Sequence, residues 1–494
     1  MVWLEGPIER RETGPIFAGS DFLQLRPAAA PPKGLTTWLR DELRAAILDG
    51  RLPSGARLPA TRALAAELGV SRGVVVEAYQ RLADEGLVGA RTGAGSVVTP
   101  PAPAAAGTDT SHAARVFRLP LPPPAGIELD LAPGVPDLSA FPRAAWLRAE
   151  RAVLASLRAA DLGYGDPRGS PVLRQQLVRW LARTRGVRAQ DGDLLVVGGV
   201  AQALALLGQV LRARGFDAVA VEDPSSRGAS DQLAYWGLRP VGVPVDRDGM
   251  RIDDLAGTGL DVAVLTPAHQ FPSGVVLAPH RRAALLAWAG SAVHRLIVED
   301  DYDAEHRYDR APVPAVQASA PDRVAYTGST SKSLAPGMRL GWLIAPRRLR
   351  DDLIAAKHAS DLGNPALPQL VIAHLLASGG YERHLRTVRS RQRQRRDALL
   401  AGLREHLPDA QVEGVAAGLH LLITLPQLPI ADTNLVDRIA AAGVFVHPLS
   451  WHRHRPGPPG LVIGYAAHAP DRLCEAGRRI ASTIEAVQKA SSAG

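Results

Sequence analysis

The chain has a single cysteine, Cys474, which excludes an intramolecular disulfide and any cysteine-rich zinc site. It has no run approaching the roughly 18 uninterrupted apolar residues that a membrane helix needs. Its start carries Glu5, Glu9, Arg10, Arg11 and Glu12 and no apolar signal-peptide core. A soluble, cytoplasmic chain with no membrane partner is therefore expected. Dense charge of one sign is also lacking: a formal +8 spread over 494 residues is compatible with a polyanionic partner but does not identify one. Core-forming material is plentiful, with 46% hydrophobic and 21% charged residues, so a wholly disordered or collagen-like chain is excluded. At about 100 to 200 residues per domain, the length implies two to four domains.

The segment from Pro100 to Gly126, rich in Pro and Ala, has almost no branched apolar or aromatic residue before Val116. It cannot bury enough surface to offset chain entropy and is read as a semi-extended linker. This leaves a folded block at residues 33–99 and a larger one at 127–485. In the first block, Trp38, Leu39, Leu43, Ile47 and Leu48 fall at helical spacing before Gly50. A second helix is expected near Ala60 to Leu68, then a turn at Gly69 and a third helix opening at Ser71, whose hydroxyl is suited to cap it. Leu87 to Val98 reads as two short strands around Arg91 to Gly95, the pattern of a wing.

Leu58, Pro59, Arg62, Leu64, Ala65, Leu68, Gly69, Val70, Ser71, Arg72, Ala78, Tyr79, Leu82, Glu85, Gly86, Gly93 and Gly95 together resemble the winged helix-turn-helix of the GntR family of transcription regulators. The resemblance implies an operator-DNA partner. It assigns phosphate and base-edge contacts to Arg62, Ser71 and Arg72, with Gly73 beside them on the third helix and Gly93 in the wing, where a glycine permits close backbone approach to DNA. A Ser-Arg pair at a helix start offers amides, a hydroxyl and a bidentate donor to DNA. The charge is modest, nine Lys or Arg against seven Asp or Glu between Lys33 and Thr99, so pattern rather than charge carries this reading.

In the larger block, short branched-apolar runs alternate with helical stretches, which indicates an α/β domain with a mainly parallel sheet. Ligands in such sheets sit at the carboxyl ends of strands. Four motifs fall there: Gly328 to Arg339, Val298 to Glu305, Gly198 to Leu204 and Thr266 to Gly274. A lysine flanked by hydroxyls, with an arginine seven residues on, suits an aldehyde cofactor held as a Schiff base and gripped by its phosphate. In an extended chain Asp300 and Tyr302 point the same way, a carboxylate for a pyridine nitrogen and a phenol for a ring oxygen. A helix opening after Gly199 offers free amides to a phosphate.

In this order the motifs resemble fold-type I, aspartate aminotransferase-like enzymes. With the winged helix and the segments Tyr164 to Gly169 and Val221 to Pro224, the chain resembles the MocR branch of GntR regulators. The resemblance implies pyridoxal 5'-phosphate as cofactor, a small C-terminal subdomain and a homodimer, head-to-tail and domain-swapped in that branch. It assigns Lys332 as the internal aldimine lysine, Asp300 as the pyridinium partner and Tyr302 as the partner of the ring oxygen. Arg339, Ser329, Ser331 and the amides of Val200 and Ala201 become the phosphate group, with His269 in a loop facing the cofactor. The implied function is a transcriptional regulator that senses a small amine, amino acid or vitamer at Lys332; the rival is a working aminotransferase with an appended helix-turn-helix.

Two departures bear on the effector. Ser225 and Ser226 stand where relatives carry an aromatic ring that stacks on the cofactor, and Pro459 to Tyr465 holds no arginine where aminotransferases grip a carboxylate. Arg453 or Arg455 in the preceding loop are the alternatives, or the effector lacks a carboxylate in the usual place. Arg383 to Arg396, with seven arginines in fourteen residues, lies in an apolar-periodic stretch and is read as a solvated helix face. His447, Trp451, His452 and His454 cluster in a Pro-rich loop, where a metal would need a further ligand; none is expected.

Overall fold

In a computed structural model, the structure describes residues 23, 25–32, 34–91, 95–99, 123–303, 305–307, 313–408, 410–414 and 417–492. They fall into two compact units divided between Ala114 and Arg115. Gly93, and the linker sequence up to residue 122, lie outside the described residues.

The N-terminal unit has helices α1 (Leu35–Leu48), α2 (Thr61–Leu68) and α3 (Arg72–Asp84), followed by strands β1 (Val88–Arg91) and β2 (Gly95–Val98). The helical periodicity is realised as an inward stripe: Leu39, Leu43 and Ala46 meet Leu64, Ala65, Leu68, Val75, Ala78, Tyr79 and Leu82 in one core. The turn between α2 and α3 is made by Gly69, at φ 63, a conformation that favours glycine. β1 and β2 pair antiparallel, Val88 opposite Val98. One local expectation fails: Ser71 is the residue before α3, but its side chain makes no capping hydrogen bond. Its exposed hydroxyl therefore remains free for a partner outside the unit.

The C-terminal unit begins with β3 (Leu129–Asp130), α4 (Arg143–Ser156) and α5 (Pro171–Arg185). An alternating series follows: β4 (Leu194–Val197), α6 (Val200–Ala213), β5 (Ala218–Asp223), α7 (Arg227–Tyr235), β6 (Arg239–Asp246), β7 (Gly249–Met250), α8 (Ile252–Gly257), β8 (Val262–Leu265), α9 (Pro279–Gly290) and β9 (Leu296–Asp300). Then come β10 (Val324–Ser329), β11 (Gly341–Ile344), α10 (Arg347–Asp361), α11 (Ala366–Ala377) and α12 (Gly380–Arg404). The sheet order is β4-β11-β10-β9-β8-β5-β6-β7. β6, β5, β8, β9 and β10 run parallel, while β11 is antiparallel to both β10 and β4. The central strands are buried on both faces, with Leu195, Val197, Val219 and Val298 packed on one side and Ala220, Ala263, Leu265 and Ile297 on the other, as their unbroken apolar runs require.

The chain closes with β12 (Val412–Glu413), β13 (His420–Thr424), α13 (Asp432–Ala441), β14 (Val444–Phe445), β15 (His447–Pro448), β16 (Gly460–Gly464) and α14 (Pro470–Ser492). β12-β13-β16-β15 form an antiparallel sheet. Its core includes Leu421, Ile423, Leu461 and Ile463 against Leu399, Leu403, Ile480 and Ile484, so α12 and α14 cover this smaller subdomain. No helix among the described residues is long and apolar enough to cross a membrane.

The arginine tract is a solvated face only in part, with Arg383, Arg386 and Arg393 exposed. It is helical, inside α12, but Arg395 and Arg396 are each only 5% exposed. Arg391 Nε lies 2.6 Å from Asp137 Oδ2, and Arg395 pairs with the same buried carboxylate. Two arginines on one carboxylate satisfy charge that would otherwise be too costly to bury. They outweigh burial and hold Asp137 down to a pKa of about 2.

Candidate functional site

Strand register assembles one rim. Ser329 lies opposite Gly341, and Gly341 opposite Val197. The chain leaving β10, the chain entering β11 and the chain leaving β4 therefore meet at the carboxyl edge of the sheet. Thr327 lies opposite Asp300 in the next pair, which brings the end of β9 to the same edge.

On this rim α6 opens at Val200 behind Gly199, at φ 103, with no side chain capping its first amides. The amides of Val200 and Ala201 therefore have no side-chain cap at the positive end of the helix. A β-carbon on Gly198 would lie 3.5 Å from Arg339 Nη2, and one on Gly199 3.7 Å from both Arg339 Nη1 and Ser331 Oγ. Guanidinium and hydroxyl thus lie beside the two glycines at the start of α6, an arrangement suited to a phosphate. Ser329 is buried, and its Oγ accepts from the amide of Ser331 at 3.3 Å, so it shapes the turn that presents Ser331.

Lys332 Nζ donates to the carbonyl of Gly134 at 2.6 Å. Burial lowers its pKa, against the opposing charges of Asp303 and Asp300, which favours a nucleophilic amine. Asp300 accepts from Thr327 Oγ1 at 3.4 Å. Burial, and then the neighbouring Asp301, push its carboxyl up to about 7; a cationic nitrogen beside it would reverse that rise. Asp301 faces away, locked to Arg185 at 2.7 and 3.0 Å and to the Tyr326 hydroxyl.

β9 ends at Asp300, so strand alternation does not carry through to Tyr302, which lies in the bend beyond. Its hydroxyl is instead placed by His269, 3.2 Å from Nδ1. Burial and the charges of Asp303 and Asp300 raise the phenol well above its ordinary value. His269 Nδ1 also lies 2.8 Å from Asp303 Oδ2. Although burial acts to raise it, Asp303 is held low, chiefly by His269. The loop carrying His269 is tied to β5 by Glu222, whose Oε2 accepts from Thr266 N at 3.0 Å and Thr266 Oγ1 at 2.6 Å.

Lys332, Asp300, Tyr302, His269, Ser331, Arg339 and the Val200 and Ala201 amides are thus placed by the carboxyl ends of β4, β8, β9 and β10 and the start of β11. Sequence reasoning missed Gly134, Asp137 and Asp303. Asp303 had a signal, since it continues the acidic run from Glu299 to Asp303; the Gly134 carbonyl had none. In the N-terminal unit, Arg62, Ser71, Arg72 and Gly73 are all exposed. His447 lies in β15 and His452 ends a short 3-10 turn, with 3.4 Å between His447 Nδ1 and His452 Nε2.

Fold and site define a helix-turn-helix unit joined to an aminotransferase-type unit. Residues 35–98 match the bacterial regulatory proteins of the gntR family, and residues 127–480 match aminotransferase class I and II. The chain is similar to the probable rhizopine catabolism regulatory protein MocR of Rhizobium meliloti, at 31% identity over 91% of this chain and 94% of that protein. It is similar to the HTH-type pyridoxine biosynthesis transcriptional regulator PdxR of Corynebacterium glutamicum, at 32% identity over 90% and 94%. Among solved structures, the kynurenine aminotransferase of Pyrococcus horikoshii superposes with a TM-score of 0.67 at 28% identity, over 73% of this chain and 91% of that one. The chain belongs to the MocR subfamily of GntR-type transcription regulators, built from a GntR helix-turn-helix and an aminotransferase class I and II domain.

Proposed function

We propose that the protein is a pyridoxal phosphate-binding transcriptional regulator, with residues 33–99 binding operator DNA and residues 127–485, beyond a linker at 100–126, sensing a small amine or amino acid. The observation that carries this reading is the single rim on which Lys332, Asp300 and the Gly198–Gly199 turn with Arg339 and Ser331 meet, in a chain that also has a GntR-type unit. When bound, pyridoxal phosphate supplies an electrophilic aldehyde on an electron-withdrawing ring. The residues fit it. Lys332 offers a buried amine with a lowered pKa. Asp300 is a buried carboxyl at the end of β9, which a cationic ring nitrogen would hold in its charged form. Arg339, Ser331 and the first α6 amides form the phosphate cradle, with Ser329 setting the turn. Tyr302, oriented by His269 and Asp303, holds a phenolic proton for the ring oxygen.

Arg62, Ser71, Arg72, Gly73 and Gly93 are the proposed DNA-facing residues, and a domain-swapped homodimer is the proposed assembly. Two-fold pairing would present two helix-turn-helix units to a pseudo-palindromic operator. An effector that changes the large unit alters DNA affinity only through its differential binding to two states.

The test is an absorbance titration of the purified protein with a panel of amines and amino acids, run beside binding to its upstream intergenic DNA. A visible-band shift that changes DNA affinity without product release is expected. Steady keto-acid release with no effect on DNA would instead make the protein an aminotransferase. Lys332→Ala removes the visible band in this reading, and its survival would refute the cofactor assignment.

A further inference from the structure

Two residues other than glycine hold a positive φ among the described residues: Arg339, at φ 48, and Leu362, at φ 60. Such backbone is costly for a residue with a side chain and persists only where its surroundings over-determine it. Arg339 carries the guanidinium beside Gly199 and Ser331. Leu362 lies in the turn between α10 and α11, which holds none of the residues assigned to the cofactor.

Hydrogen bonds join the two positions. Asn364 Nδ2 donates to the Arg339 carbonyl at 3.3 Å. On the other side of Leu362, Asp361 accepts the amide of Gly363 at 3.0 Å and Gln202 Nε2 at 2.7 Å. Gln202, in the first turn of α6, accepts the amide of Gly198 on its own Oε1 at 2.7 Å. Behind it stands Lys357, fully buried in α10, with Nζ 2.6 Å from both Asp361 carboxylate oxygens and 3.3 Å from Gln202 Oε1. One turn therefore reaches both sides of the phosphate cradle, Gly198 through Gln202 and Arg339 through Asn364. Each member fixes the next. A buried ammonium must be paired, and its grip on both oxygens sets the rotation of the Asp361 carboxylate. That carboxylate takes the Gln202 amide group, so the acceptor end of Gln202 is the one presented to Gly198. Although burial acts to raise it, hydrogen bonds from Lys357 and Gln202 hold the Asp361 carboxyl low.

We propose that Gln202, Lys357, Asp361 and Asn364 are positioning residues that preset the phosphate cradle, and that through it they select the phosphorylated vitamer over the form without phosphate. The proposal rests on the reading of this rim as a pyridoxal phosphate site and deepens it. The four residues act through Gly198 and Arg339, fixing the turn before α6 and the strained backbone of the arginine ahead of any ligand. A site ordered in advance loses less freedom when its ligand arrives.

The test is an absorbance titration of the full chain, stripped of cofactor, with pyridoxal phosphate and with pyridoxal, which has the same ring and aldehyde but no phosphate. The parent should bind the phosphate ester more tightly. Gln202→Leu leaves the Gly198 amide without its acceptor. It should weaken pyridoxal phosphate about tenfold or more, the scale of a buried donor left unsatisfied, with pyridoxal affinity unchanged. Asn364→Ala, which removes the bond to the Arg339 carbonyl, should act in the same direction and less strongly. Equal weakening of both ligands would make the network merely structural and overturn the proposal, as would variants that bind pyridoxal phosphate like the parent. If Gln202→Leu does not fold, seen as loss of the large unit's melting transition, Asn364→Ala decides by the same criteria. A parent that gives a visible band with neither ligand would instead strike the cofactor reading, and the proposal with it.

Discussion

Glu222 is a carboxyl whose environment prefers the neutral form. Burial pushes it up to about 7 from an ordinary 4.5, and the two Thr266 donors on Oε2 and the side chain of Gln270 offset that rise only in part. The fold therefore binds this proton more tightly than the unfolded chain does. Stability from Glu222 is complete below about 4.5 and is lost as pH rises through about 7, in total roughly 3 kcal/mol. Glu222→Gln keeps an acceptor for Thr266 and removes the titration. Its melting temperature should fall less than the parent's between about pH 5 and about pH 8, measured by calorimetry; an identical slope would show that Glu222 does not titrate in this window. At this scale the sequence was legible where a motif fixes a residue type at a strand end, as with Lys332, Asp300 and Arg339. It was silent where the partner is a backbone carbonyl, because the Gly134 oxygen that holds Lys332 leaves no mark in residue identity.

Elements show where pattern reading succeeds and where it stops. Periodicity placed α1, α2 and α6 and the central strands, because each helix buries one face and each central strand both faces against apolar clusters. It read α12 only in part, since helical spacing identifies the inward face but cannot say that arginines there meet a carboxylate more than two hundred residues earlier. Asp137 is 1% exposed at its side chain and Arg395 6%, so Asp137→Ala leaves a buried guanidinium partly uncompensated. A loss of about 3 to 5 kcal/mol is expected, read as a lower melting temperature of the large unit. Adding Arg395→Met should restore part of it, and strict additivity of the two changes would rule out a coupled pair. In α3 the prediction concerns DNA. Arg72 is exposed at the first helical position, so Arg72→Ala should weaken operator binding and, if it meets phosphate, flatten the salt dependence by about one counterion. The visible band should stay intact.

Across the whole molecule, what matters is that the two units each have a core of their own. Leu39, Leu43, Val75 and Leu82 close the first, while the large unit is held by separate clusters on both sheet faces and in the small subdomain. Each unit is therefore expected to unfold in its own transition, and a ligand that binds only one should move only that one. Saturation at about a hundred times Kd stabilises the binding unit by about 2.7 kcal/mol. Calorimetry of the full chain should thus show pyridoxal phosphate raising one transition and leaving the other in place. Leu43 is 1% exposed, so Leu43→Ala should cost about 2 to 5 kcal/mol through the cavity it opens, lowering the other transition while the visible band survives. If the cofactor raised both transitions together, the units would share an interface that couples them directly. The effector's route to DNA would then run through that contact rather than through a change in how paired chains present their helix-turn-helix units.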